Sequence, residues 1–336
     1  MKVTELGEFG LIERIGAGCL IRTDRVVRAI GDDAAAFAVP DGERVLLTTD
    51  MLVEGVHFLR KAASAEELGA KALAVNLSDI AAMGGTAREA FVGLGVPADV
   101  SVNFLDGIYR GMRALAREFE VNILGGDTTG SGRDLILSIS VVGSVSEAEM
   151  LRRDGARPGD RIVATGPLGD SRAGLHLILN DIPAADDALA AVHAAHLRPR
   201  PHLREGRFLA ESGAARAAID VSDGLSSDLG HILRESGVGA RVFADALPIS
   251  PALREFCARF DRDPVREALA GGEDYVLLAT VAPDRAAGLR RAFEERFGRP
   301  LADIGEITEA RGFRRVQPDG AEVPVRPESW DHFHPS

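Results

Sequence analysis

Residues 46–58 read LLTTDMLVEGVHF. Leu46 and Leu47, following Val45, continue a short apolar run with strand character. The run breaks into Thr48-Thr49-Asp50, two hydroxyls and a carboxylate at an expected strand end, and His57 follows seven residues after Asp50, between Val56 and Phe58. In α/β proteins ligands gather at strand ends, because side chains there project from a rigid sheet into a crevice. Hydroxyl and carboxylate oxygens are hard donors of the kind Mg²⁺ prefers. A strand stopping at a capped turn would use the same residues, so the weight falls on how often the chain repeats the device.

It repeats it along most of its length. Gly31-Asp32-Asp33 follows a short apolar run, Gly125-Gly126-Asp127-Thr128-Thr129 follows the strand-like Val121–Leu124, and Asp220-Val221-Ser222-Asp223-Gly224 ends the run from Ala217. Gly271-Gly272-Glu273-Asp274 precedes the apolar segment VLLATV. Asp79 sits in the apolar half of an alanine-rich helix, where a carboxylate is costly unless it is paired or metal-bound. Two carboxylates about 4 Å apart repel by roughly 4 kcal/mol at an effective dielectric of 20, so a convergent set requires cations. An all-oxygen donor set points to Mg²⁺ rather than zinc.

The spacing predicts alternating helices and strands. Ser64-Ala65-Glu66-Glu67 is a capping box opening a helix that ends at Gly84-Gly85, with Ala74, Leu77, Ile80 and Ala81 on its buried face. Phe91–Val96 and Leu135–Val145 read as strands and Val102–Phe119 as an amphipathic helix. The polar, turn-rich segment from Glu147 to Asp160 marks a domain boundary. The expected division is residues 1–148, residues 149–310 as a C-terminal α/β domain, and residues 311–336 as a tail.

A length of 336 residues exceeds one ordinary core. Hydrophobic residues at 46% and charged residues at 27% are those of a soluble globular protein, and no apolar run reaches the roughly 20 residues of a membrane helix. MKVTELGEFGLIER lacks a signal-peptide core, and the separated Cys19 and Cys257 fit a reducing compartment, so the expected location is cytoplasmic. A net charge of −12 argues against nucleic acid. With only Lys2, Lys61 and Lys71, an anionic ligand must be met by arginine or metal. No GxxxxGK[ST], strand-following GxGxxG, kinase HRD or DFG, or GxSxG sequence is present.

GDDAAAF, TTDMLVEGVHF, KALAVNLSDIAAMGG, ILGGDTT, RRDGARPGD, AIDVSDGLSSDLGHI, LAGGEDY and SWDHF occur in one order over almost the whole chain. That ordered set resembles the thiamine-monophosphate kinases of the aminoimidazole ribonucleotide synthetase-like superfamily. The resemblance implies an α/β (α+β) protein with the two-domain fold of that superfamily, pairing through its N-terminal domain as a homodimer. It implies ATP in a cleft with several Mg²⁺ ions, and transfer of the γ-phosphoryl group to thiamine phosphate, giving thiamine diphosphate and ADP. Asp33, Thr48, Thr49, Asp50, Asp79, Asp127, Asp220 and Asp223 would ligate metal. Tyr109, Gly126, Asp127, Arg153 and Ser222 would contact ATP, and His57, Glu273 and Trp330 the thiamine phosphate. No general base is expected. Alternatives are another ATP-using member of the superfamily and a non-catalytic nucleotide-binding regulator.

Overall fold

A computed structural model of the chain describes residues 13–28 and 35–326; Asp33 and Trp330 lie outside the described residues. The chain divides into two units, one of the described residues up to Ile80 together with Gly85–Ala148, the other of Ala81–Gly84 together with the residues from Glu149 onward.

In the first unit a short antiparallel pair, β1 (Val26–Arg28) and β2 (Ala36–Phe37), precedes β3 (Glu43–Val53). β3 runs through Thr48-Thr49-Asp50 instead of ending there, which corrects the expected strand end. Its eleven residues pair one for one with β6 (Ile136–Ser146), from Glu43 opposite Ser146 to Val53 opposite Ile136. Eleven consecutive rungs outweigh the weak strand preference of one aspartate. α1 (Ala65–Ala82) starts at the capping box: the Ser64 N–H donates to Glu67 Oε2 at 2.9 Å, and the Glu67 N–H to Ser64 Oγ at 3.2 Å. Ala74, Leu77, Ile80 and Ala81 are buried as the spacing predicts, but Lys71, Asn76 and Ser78 are buried too, so the helix is enclosed on nearly every side.

β4 (Thr86–Pro97), α2 (Val102–Glu118) and β5 (Asn122–Ser131) form a parallel βαβ unit, and the four-stranded sheet has the order β3-β6-β4-β5. β5 likewise continues through Gly125–Thr129, past its expected end at Leu124. A bulge between Ala90 and Phe91 skips Leu124 in the pairing, so Phe91 faces Gly125 and Gly93 faces Asp127. A β-carbon on Gly126 would lie 1.8 Å from the Val92 carbonyl oxygen, so only glycine fits.

The second unit holds β7 (Arg161–Ala164), α3 (Asp170–Leu179), α4 (Asp187–Leu197), α5 (Leu203–Glu211) and β8 (Ala215–Asp220). α6 (Leu225–Ser236), β9 (Gly239–Phe243), α7 (Pro251–Phe260), α8 (Pro264–Ala270) and β10 (Leu277–Val281) follow. α9 (Pro283–Phe297), β11 (Ala302–Thr308), β12 (Gly312–Val316) and β13 (Glu322–Pro324) complete it. The seven-stranded sheet has the order β13-β12-β9-β11-β7-β10-β8. Its core joins Ile162, Ile219, Leu229, Val242, Leu278 and Ile304. Among the described strands of the two large sheets only β4–β5 and β9–β12 run parallel, the α+β variant of the expected class. Among the described residues no helix is long and apolar enough to cross a membrane.

Candidate functional site

Strand geometry sorts Thr48-Thr49-Asp50, because successive side chains leave opposite faces. Thr48 and Asp50 share a face with the buried Leu46 and Leu52. There Thr48 Oγ1 donates to Asp79 Oδ2 of α1, and the Asp50 N–H donates to Asn76 Oδ1 at 3.0 Å. Asn76 is locked in turn by its Nδ2 donating to the Ala72 carbonyl at 3.1 Å. Thr49 leaves the other face, where its hydroxyl meets Ser140 Oγ of β6 at 2.6 Å. The structure therefore brings Thr48, Asp50 and Asp79 together and separates the Thr49 side chain from them. Burial, and then the neighbouring Asp79 charge, pushes the Asp50 carboxyl up to about 6.

His57 closes the turn after β3. Its N–H donates to the Val53 carbonyl at 2.9 Å, and its Nδ1 accepts from the Val53 N–H at 3.1 Å, which places the ring proton on Nε2. Asp127 lies on β5, the sheet edge opposite β3, and accepts from the Thr128 N–H at 2.9 Å. Tyr109 is 4% exposed on the inner face of α2, and burial raises its phenol above the ordinary range.

In the second unit Asp220 is the last residue of β8 and is buried; Asp223 is exposed in the loop that follows. Asp228, in the first turn of α6, was not singled out from the sequence. Its Oδ2 accepts from the Asp223 N–H at 3.1 Å and the Gly224 N–H at 3.0 Å, so it holds the loop on which Ser222 and Asp223 sit. Burial, then Asp220, then Asp223 raise its carboxyl to about 8. The signal was available as SDGLSSD, an aspartate where a helix N-terminus favours negative charge. Arg153 is exposed, and its carbonyl accepts from Ser236 Oγ at 2.9 Å.

The loop bearing Glu273 is stitched to the loop bearing Ser222. The Glu273 N–H donates to the Ser222 carbonyl at 2.7 Å, and the Tyr275 N–H to the Val221 carbonyl at 2.8 Å. Glu273 and Tyr275 both adopt left-handed backbone, φ 62 and 52°. Such positions in non-glycine residues cost of order 1–3 kcal/mol each and persist where surrounding contacts over-determine them. Asp274 between them is partly exposed; burial lifts its carboxyl to about 8, against the Gly169 and Ser171 amides that it caps at 2.6 and 3.2 Å.

These are hard oxygen donors in like-charged pairs, the chemistry that fits Mg²⁺ with water and phosphate oxygens completing its shell. Among the described residues no three His, Cys, Asp or Glu side chains already form a metal-holding group. A carboxyl raised in the folded protein contributes stability that is full below its ordinary value of about 4 and is lost as pH rises, through about 6 for Asp50 and about 8 for Asp228. A cation binding the ionised forms reverses that loss. The Mg²⁺-induced rise in melting temperature is therefore expected to be small at about pH 5 and to grow toward pH 8. Thermal scans with and without Mg²⁺ check this; an increment independent of pH would place the cation elsewhere.

Residues 31–145 match the N-terminal domain, and residues 157–317 the C-terminal domain, of AIR synthase related protein. The chain is 35% identical to the thiamine-monophosphate kinase of Aquifex aeolicus over 99% of this chain and 100% of that one. It is 39% identical to that of Salmonella typhimurium over 97% and 98%. The solved thiamine-monophosphate kinase of Stenotrophomonas maltophilia superimposes with a TM-score of 0.83 at 39% identity, covering 94% of this chain and 98% of that one. A second structure, AaThiL complexed with AMPPCP and TMP, gives 0.77 at 34% identity and 99% coverage of both. E. coli HypE, at 19% identity and a TM-score of 0.79, shares the fold alone. The two matched domains define the class, a two-domain protein related to AIR synthase, and within it the chain belongs to the thiamine-monophosphate kinase family.

Proposed function

We propose that the protein transfers the γ-phosphoryl group of ATP to thiamine phosphate, giving thiamine diphosphate and ADP. The observation that carries this reading is near-full-length identity of 33–39% to thiamine-monophosphate kinases. The chain carries an acidic face formed by Thr48, Asp50 and Asp79. Bound to those oxygens, Mg²⁺ would supply neutralisation of phosphate charge. Asp33, Thr48, Asp50, Asp79, Asp127, Asp220 and Asp223 are the proposed ligands, with Thr49 confined to a supporting hydrogen bond. Tyr109, Gly126, Asp127, Arg153 and Ser222 are proposed for ATP, and His57, Glu273 and Trp330 for thiamine phosphate; Asp33 and Trp330 belong to the set although they lie outside the described residues.

The chain need not provide a base. A phosphate monoester loses its second proton with a pKa of about 6, so its oxygen is already largely ionised near neutrality. The residues position and hold the two phosphates in line, and Arg153 adds positive charge where lysine is scarce. His57, with its proton on Nε2, would donate to an acceptor phosphate oxygen. We place residues 1–148 in ATP and magnesium binding and in dimerisation, residues 149–310 in the second domain, and residues 311–336 at the acceptor. A homodimer is supported by the outer face of β3, where Val45, Leu47 and Met51 are 56, 70 and 54% exposed. A cytoplasmic location suits two buried thiols.

Incubation with ATP, Mg²⁺ and thiamine phosphate is expected to yield thiamine diphosphate and ADP in equal amounts. Nucleotide binding without thiamine diphosphate would sink the kinase reading in favour of a regulator.

A further inference from the structure

Glu273 is held more tightly than a substrate-facing loop residue needs to be for folding alone. Its backbone is pinned by the bond from its N–H to the Ser222 carbonyl at 2.7 Å. Its side chain is pinned by a residue far away in sequence: Oε2 lies 3.2 Å from Nδ1 of His196, in the last turn of α4. His196 is 5% exposed, and its Nδ1 also lies 3.0 Å from Ser171 Oγ at the start of α3. Ser171 is fixed in turn by its N–H donating to Asp274 Oδ1 at 3.2 Å. The chain of contacts thus leaves Glu273, passes through His196 and Ser171, and returns to the adjacent residue Asp274.

Such a closed circuit over-determines one carboxylate. The carboxylate is an acceptor, so Nδ1 of His196 must carry the proton that it receives, and the serine oxygen shares it. The Glu273 side chain remains 26% exposed while one oxygen is tied to a buried imidazole. One oxygen is anchored while the side chain keeps partial exposure, the arrangement of a preorganised recognition group.

We propose that His196 is a positioning residue for acceptor recognition: it holds the Glu273 carboxylate in one rotamer, ready for the cationic thiazolium and aminopyrimidine portion of the acceptor. This rests on the assignment of Glu273 to thiamine phosphate made above. His196 touches neither reacting oxygen, so its removal acts on acceptor binding and not on the transfer.

Steady-state kinetics of the full chain test it. His196→Leu is expected to raise KM for thiamine phosphate about tenfold or more, the scale of a lost hydrogen bond to a charged group. KM for ATP and kcat should stay within about twofold. His196→Asn, whose amide can donate from the place of Nδ1, should restore most of the affinity. In a Glu273→Ala background, His196→Leu should add less than about a twofold effect, because coupled residues are not additive. An unchanged KM for thiamine phosphate, an equal rise for ATP, or fully multiplicative effects would overturn the proposal. A second measurement needs no folded His196 variant. The His196 ring-proton NMR signal of the wild-type protein should shift on addition of thiamine phosphate, and should not do so in Glu273→Ala; an unmoved wild-type signal overturns the proposal as well. If Glu273→Ala itself leaves KM for thiamine phosphate unchanged, the acceptor assignment of Glu273 fails. If Glu273→Ala raises it and His196→Leu does not, only the role of His196 fails.

Discussion

Asp79→Asn is expected to lower turnover by at least about a thousandfold while the melting temperature stays level or rises. Asp79 is the partner that Asp50 faces on α1, and the two like charges raise each other's cost of ionisation. Charge neutralisation at transferring phosphates is worth several kcal/mol, and each 1.36 kcal/mol is a tenfold change in rate. Asparagine keeps the oxygen that accepts from Thr48 Oγ1, so the local packing survives. It removes one of two neighbouring negative charges, which relieves Asp50. Activity and stability should therefore move apart, as they do where a site is built against the fold's own preference. Turnover measured beside a thermal scan decides the matter. A variant with near-native turnover would remove Asp79 from the proposed magnesium ligands.

Gly126→Ala is expected to act in the opposite sense, through the fold. The added methyl would sit 1.8 Å from the Val92 carbonyl oxygen and 2.6 Å from its carbon, both backbone atoms that no rotamer change can clear. Gly126 also has φ 154°, which side chains rarely adopt. Relief requires parting β5 from β4, so a loss of about 3–5 kcal/mol is expected. ATP affinity should fall with it, because Asp127 is the next residue on the displaced strand. Gly130→Ala on the same strand is the control: nothing lies within 4 Å of its β-carbon position, and its change should stay within about 1 kcal/mol. Denaturant midpoints that coincide for the two variants would refute the steric argument.

Local patterns carried much of the architecture into the sequence. The Ser64–Glu67 box and the Gly84-Gly85 stop bound α1, and both ends were readable because each is made by residues within one turn of the helix. The ends of β3 and β5 were not readable. Threonine, glycine and aspartate look like punctuation, and only the pairing with β6 and β4 carries the strands through them. That same pairing turns Thr49 away from Asp50, a fact of face and not of spacing. Composition and motif order pointed to an acidic, magnesium-directed site. They could not reveal His196, whose significance lies in the atoms it meets, whereas Asp228 was legible as a helix-start aspartate but not as the residue that holds the Asp223–Gly224 amides. The burial of Tyr109 was equally hard to read: an aromatic in an amphipathic helix is core or surface according to the side it faces, and α2 turns it inward.

The hydrogen bond from the Glu273 N–H to the Ser222 carbonyl, with its companion from Tyr275 to Val221, has a bearing on how the family can diversify. The two loops are separated by about fifty residues of sequence, yet they behave as one graft. Transplanting from a relative a GGED segment whose backbone follows a different course would break those amide–carbonyl bonds and shift Ser222. Acceptor preference in this scaffold should therefore be inherited in blocks, with both loops exchanged together or neither.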